Sequence, residues 1–181
     1  MSHKTWRSIE MTLDRQSINR AIREVRDCQR QLMEAMAELV QKLADQGAQV
    51  AKMQVASFDA VDSGELEHSI YGYYDPESRI GYVIAGAAHA FYVEYGTGVI
   101  GQNSPHPEAA EAGWQYAIGD SLFTTKDGRV GWVYNKSSDG VFSGEKNEWH
   151  FTEGQPSRPF MYNTLVWLEE AAEALGRTIL A

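Results

Sequence analysis

The chain has 181 residues, 43% apolar and 23% charged, the proportions of a protein that folds around one core rather than of a disordered or collagen-like chain. With 16 Lys and Arg against 25 Asp and Glu the formal charge is −9, which opposes a grip on nucleic-acid phosphates. Cys28 is the only cysteine, which excludes an intramolecular disulfide and a cysteine-based zinc cluster. No apolar run reaches membrane-helix length and the N-terminus lacks the apolar core of a signal peptide, so the expectation is a soluble chain that is not conventionally exported.

The expected organisation is a single α+β domain over residues 1–181. Residues 1–60 supply a strand and a long helix. Residues 61–162 supply antiparallel sheet, or a partial barrel packed on that helix. Residues 163–181 supply a C-terminal helix. Ile9, Met11 and Leu13 alternate with polar residues as a short strand would. Asp14 is a good N-cap, and Ile18, Ile22, Val25, Cys28, Leu32, Met36, Leu39 and Leu43 then recur at spacings of three and four, one face of a helix over 15–46. Cys28 lies in that stripe and is read as core filling rather than as a nucleophile. Such a rod is about 48 Å long, more than a body of this size covers, so part of it is expected to meet another subunit. Gly47 either stops the helix or lets it continue toward Ser57.

Asp62 or Ser63 can cap one helical turn over the segment that ends at Ile70, and Tyr71–Tyr74 then turns through Asp75-Pro76-Glu77-Ser78 into Ile80, Tyr82 and Ile84, a hairpin. Ala90–Gly98 reads as an aromatic strand that holds one carboxylate, Glu94, and ends in two glycines. Residues 98–113 read as a long loop. Val130, Trp132 and Tyr134 alternate, and Trp149 with Phe151 returns, so residues 119–149 are expected to form a projecting hairpin arm. Leu165, Leu168, Ala172, Leu175 and Ile179 define the C-terminal helix, entered through Pro156-Ser157-Arg158-Pro159-Phe160.

The chain has no GxGxxG, GxxxxGK[ST], HExxH or GxSxG. His3, His68, His89, His106 and His150 are scattered, with no pair at the spacing of metal ligands on one helical face. No catalytic residue, cofactor or metal is expected. Two segments have chemistry unusual for plain packing: Glu94 among Tyr92, Tyr95 and the glycines Gly96 and Gly98, and Arg158 aimed by the prolines on either side. The expectation is an ion pair between Glu94 and Arg158, joining the sheet to the base of the C-terminal helix.

These segments carry a resemblance. Ser63-Gly64-Glu65-Leu66-Glu67-His68-Ser69-Ile70, then Ala90-Phe91-Tyr92-Val93-Glu94-Tyr95-Gly96-Thr97-Gly98, then Gly154-Gln155-Pro156-Ser157-Arg158-Pro159-Phe160-Met161-Tyr162 and a terminal helix resemble the tail-completion, or head-tail joining, family of long-tailed double-stranded DNA phages. The likeness covers roughly residues 60–181. Asn163-Thr164 departs from it where the family tends to have a proline and a small residue, and the arm from Trp132 to Trp149 is long. The resemblance implies a non-enzymatic virion protein of the neck or tail, made in the host bacterial cytoplasm. It implies a ring, a hexamer, that contacts neighbouring neck and tail proteins and passes double-stranded DNA without sequence preference or a membrane. On this reading Gly64, Leu66, Ser69, Ile70, Tyr92, Glu94, Tyr95, Gly96, Thr97, Gly98, Trp132, Trp149, Arg158, Pro159 and Phe160 are structural-motif or interface residues.

Charge is unevenly placed. Residues 1–60 carry 9 Lys or Arg against 8 Asp or Glu, and residues 61–181 carry 7 against 17. In a ring the second set is expected to face the channel, where an acidic wall repels a duplex weakly and lets it slide. Two other readings compete. A ligand- or carbohydrate-binding β module would use Tyr71, Tyr73, Tyr74, Trp132 and Trp149. A hydrolase would need His89 or His150 beside a carboxylate in a cleft.

Overall fold

Asp14 and the apolar stripe behind it dictate the longest element. In the computed structural model, which describes residues 12–58, 64–116, 122–135 and 149–180, helix α1 spans Arg15–Ser57. The Asp14 carboxylate accepts from the Gln16 and Ser17 amides, each at 2.9 Å, and so satisfies donors that the first turn leaves over. A hydrogen bond from the Thr12 hydroxyl, together with these amides, lowers the Asp14 pKa below the usual carboxylate range. The opening strand expected at Ile9–Leu13 lies almost wholly outside the described residues, and Leu13 is 96% exposed just ahead of the helix.

Gly47 does not interrupt α1. A Cβ at this position would lie 2.8 Å from Val83 and 3.1 Å from Leu168, so glycine is the residue that lets a strand and the last helix press on the rod. With 43 residues α1 is about 64 Å long. Its second half is packed, with Ala44, Gly47, Ala48, Val50, Ala51 and Val55 buried; in the first half Ser17 and Ala21 are buried, while every residue from 22 to 32 is exposed. Cys28 is among these, which corrects its expected place in the core: the rod runs on past the body, and the stripe that holds the thiol has nothing over it.

A short helix α2 (Glu65–Ser69) leads into the hairpin β1 (Ile70–Asp75) and β2 (Ile80–Ala85), paired from Ile70↔Ala85 to Asp75↔Ile80. Gly64, at φ 78°, caps α2; the expected caps Asp62 and Ser63 lie outside the described residues. Gly72 and Gly81 face α1 so closely that a Cβ on Gly72 would stand 2.6 Å from the Ala44 backbone. The opposite face presents Tyr71, Tyr73, Ile80 and Tyr82 to solvent, with Tyr73 and Tyr82 stacked at 6.2 Å.

Ala90–Tyr95 is a helix, α3, and not the expected aromatic strand. Ala90, Val93 and Glu94 are all buried, a spacing that only a helical turn puts on one face, and that burial overrides the strand preference of the aromatics. The expected loop at 98–113 is likewise ordered, first as helix α4 (Gly98–Asn103) and then as successive turns. Strands β3 (Phe123–Thr124), β4 (Val130–Asn135) and β5 (Trp149–Thr152) form a second antiparallel sheet, followed by β6 (Gly154–Gln155) and helix α5 (Phe160–Leu180). The fold is therefore α+β, with two small sheets among the described residues in place of one sheet or a partial barrel. The hairpin expected from Trp132 to Trp149 is present at its base, Trp132↔Thr152 to Asn135↔Trp149, and its tip lies outside the described residues.

The core joins these parts. Ala48, Ala51 and Val55 of α1 pack with Leu66, Ile70, Ala90, Val93 and Phe160, the last with no exposed surface. α1 also lies along both strands of the hairpin and along α5. Because Gly72 has α1 backbone against it, Gly72→Ala should destabilise the fold by about 1–3 kcal/mol, the usual range for overpacking. Urea unfolding followed by circular dichroism measures it.

Candidate functional site

Helix α5 begins after a proline, which cannot cap. Its first turn therefore needs outside acceptors for its amides. The accounting closes on one residue from α3. Phe160 N–H donates to Arg158 O at 2.7 Å and Asn163 N–H to Pro159 O at 3.0 Å. Met161 N–H donates to Glu94 Oε2 at 2.8 Å and Tyr162 N–H to Glu94 Oε1 at 2.9 Å. The buried Glu94 carboxylate thus caps a helix 67 positions away, where the positive end of the helix dipole also favours it.

A third donor completes the site. His106 Nε2 lies 3.0 Å from Glu94 Oε1, while His106 Nδ1 accepts from the Glu108 amide at 3.0 Å. An Nδ1 that accepts carries no proton, so the ring is the Nε2–H tautomer and donates to Glu94. Aromatic rings close the surroundings: Tyr95 lies 4.3 Å from the His106 ring and 5.0 Å from Trp114, and Tyr162 meets His106 edge-on at 5.4 Å. Burial, with Glu94 and Glu108 nearby, raises the Tyr95 pKa above its ordinary 10.0.

The expected Glu94–Arg158 ion pair is absent. Glu94 has its three donors, and the Arg158 guanidinium reaches Gln155 Oε1 at 3.3 Å. The backbone of Arg158 instead ties the segment to helix α3, because its N–H donates to Val93 O at 2.9 Å. Pro159 then ends the segment and Phe160 fills the core.

Other motif residues gather round the same joint. Ser157 Oγ donates to Glu94 O at 2.6 Å, Gln155 N–H to Thr97 Oγ1 at 3.2 Å and Gln155 Nε2 to Tyr92 O at 2.8 Å. Thr97 and Gly98 form bridges with Gln155 and Gly154. Gly96 and Gly98 have φ of 77° and 61°, conformations that admit glycine readily, and a Cβ on Gly98 would lie 2.8 Å from Trp132. Gly64, Leu66, Ser69 and Ile70 sit on the far side of the core, where Leu66 and Ile70 are buried with Phe160 and Ser69 Oγ accepts from the Ala87 amide at 3.0 Å. Trp149 pairs through its backbone with Asn135.

Tyr71, Tyr73 and Tyr74 stand on the β1–β2 hairpin and Trp132 on the other sheet. Among the described residues, no three His, Cys, Asp or Glu side chains form a group able to hold a metal ion. His106 escapes a reading based on metal spacing, yet Pro105 and Pro107 flank it in the pattern that singles out Arg158.

Beside this joint an apolar groove of about 760 Å³ opens between α1, β2, α3 and α5. Val40, Leu43, Tyr82, Phe91, Leu165 and Leu168 line it, with Glu108 among its charged groups and no lysine or arginine. Compared with known protein families, curated proteins and solved structures, the chain matches none.

Removing the Glu94 carboxylate strands two helix amides and the His106 N–H in a buried place. Glu94→Ala should cost about 2–4 kcal/mol in urea unfolding, and Arg158→Ala less than about 1 kcal/mol. Equal losses would contradict the arrangement. Since the folded state raises the Tyr95 pKa, its contribution is complete below pH 10.0 and is lost as pH climbs through the higher folded value. Tyr95→Phe should therefore flatten the fall in stability above that pH, measured as unfolding midpoints from pH 8 to 12 (about two units either side of the ordinary value).

Proposed function

We propose that the protein is a structural component of a long-tailed double-stranded DNA phage particle, a ring-forming tail-completion or head-tail joining protein that performs no catalysis. The observation that carries this reading is the convergence at Glu94. Two of the three sequence segments that resemble the family, 90–98 and 154–162, hold each other through one carboxylate, two bridges and a shared set of backbone bonds. The third, 63–70, packs on Phe160 from the other side of the core. Both Glu94 oxygens are engaged by helix amides and His106, an arrangement suited to holding a fold and not to turning over a substrate.

Assembly follows from the surface. The outer half of α1 and the tyrosine face of the hairpin leave large apolar side chains in water, as subunit-contact surfaces of an assembling protein do. Head-to-tail contacts close into a ring when the rotation per subunit allows, and the family resemblance puts the number at six. In that ring the acidic excess of residues 61–181 lines the passage for DNA, and the outer surfaces meet neighbouring neck and tail proteins in the virion. No helix among the described residues is long and apolar enough to cross a membrane.

Mass measurement in solution with negative-stain electron microscopy tests the reading. The expected result is a uniform ring with a pore wide enough for a DNA duplex and an inner wall richer in Asp and Glu than in Lys and Arg. A chain that stays monomeric as its concentration is raised, or a ring with a basic wall, would contradict it.

A further inference from the structure

The free half of α1 carries two features that the joint at Glu94 does not use. Ile18, Ile22, Val25, Leu32 and Met36 form an exposed apolar stripe. Around it residues 15–30 carry five arginines against two carboxylates, and among the described residues Arg15, Arg20, Arg23 and Arg26 make no ion pair. The groove has the complementary character: an apolar lining, Glu108 at its wall, and no lysine or arginine. Phe91, 67% exposed, and Leu165 stand open in it.

The arm cannot reach the groove of its own chain. Val40, Leu43 and Ala44 of the same unbroken helix line that groove, and Ile22 lies about 31 Å up the rod from Leu43. A helix-in-groove contact therefore needs a second copy. We propose that the basic, apolar arm of α1, residues 15–36, docks in the groove between α1, β2, α3 and α5 of the next copy of this chain, with Ile18, Ile22 and Val25 as anchors and the unpaired arginines placed toward Glu108. The inference rests on the ring reading and specifies its contact. Arm and groove are different patches, so each copy gives its arm in one direction and takes another from behind, the head-to-tail geometry that a ring requires.

Two substitutions at exposed positions test it. Ile22→Glu puts a carboxylate in the stripe, and Phe91→Asn takes an apolar ring out of the groove without adding a charge that could pair with that carboxylate. Ile22 is 44% exposed, so neither change disturbs the core, and circular dichroism checks that both variants keep the wild-type fold. Wild type should sediment beyond a dimer at tens of micromolar, and each variant alone should sediment as a monomer. An equimolar mixture should form a one-to-one pair and stop there, because one intact arm and one intact groove remain. Higher salt should weaken that pair, as arginine contacts to Glu108 require. Assembly of Ile22→Glu alone to wild-type size, failure of the mixture to pair, a wild-type chain that is always monomeric, or one that closes as a dimer would each overturn the proposal. If wild type forms rings and Ile22→Glu forms them too, the contact fails while the ring stands. If the variants behave as expected and wild type grows into open filaments, the contact stands and the ring fails.

Discussion

The fold depends on a carboxylate that caps a helix from a distance. Pro159 starts α5 without a donor or a capping side chain, so the helix can begin in the core only if something else accepts from Met161 and Tyr162. Glu94 does this, and burial makes the bond demanding in both directions, since the carboxylate needs donors as much as the amides need an acceptor. His106 supplies the third donor and is itself held as the Nε2–H tautomer by the Glu108 amide. One interaction thus fixes α3, the turns after α4 and the start of α5 relative to one another. Through Phe160 it also fixes α5 against α1, α2 and β1.

α1 divides at the edge of this body. Its inner half accepts strand backbone at Gly72 and Gly81 and presses against Val83 and Leu168 at Gly47, so it is positioned by contact with α2, β1, β2 and α5. The outer half continues in the same register, with Ser17 and Ala21 buried but the large apolar side chains of its stripe, Ile22, Val25, Leu32 and Met36, exposed. A rod of about 64 Å cannot hide its stripe on a body this small, and helical continuity keeps it from folding back. The exposed stripe and the open groove both lie along that one rigid element.

Much of this is legible in the sequence where the signal is local. Asp14, the stripe from Ile18 to Leu43, the Asp75-Pro76 turn and the alternation of Val130, Trp132 and Tyr134 each determine their element through short-range geometry. Glu94 and Arg158 stand out correctly as marked residues, but their pairing does not follow from charge. The nearest claim on a buried carboxylate is made by helix amides, and amides are invisible in a list of side chains. α3 reads as a strand because its residues are aromatic, and it is a helix because Ala90, Val93 and Glu94 must face one core. His106 carries a usable local sign in Pro105 and Pro107; the partner that gives it meaning lies 12 residues earlier and is brought near by the fold. Cys28 misleads for the opposite reason, since a periodic apolar stripe does not reveal where the body ends.

The central claim is that Glu94 caps α5, and amide hydrogen exchange at Met161 and Tyr162 reads it directly. Amides in the first turn of a helix have no partner within the helix and exchange fast when nothing else accepts from them. The account predicts that these two amides exchange as slowly as those in the middle of α5, and that Glu94→Gln speeds them selectively while amides of the outer half of α1 are unchanged. Fast exchange at both amides in the wild-type chain would contradict it.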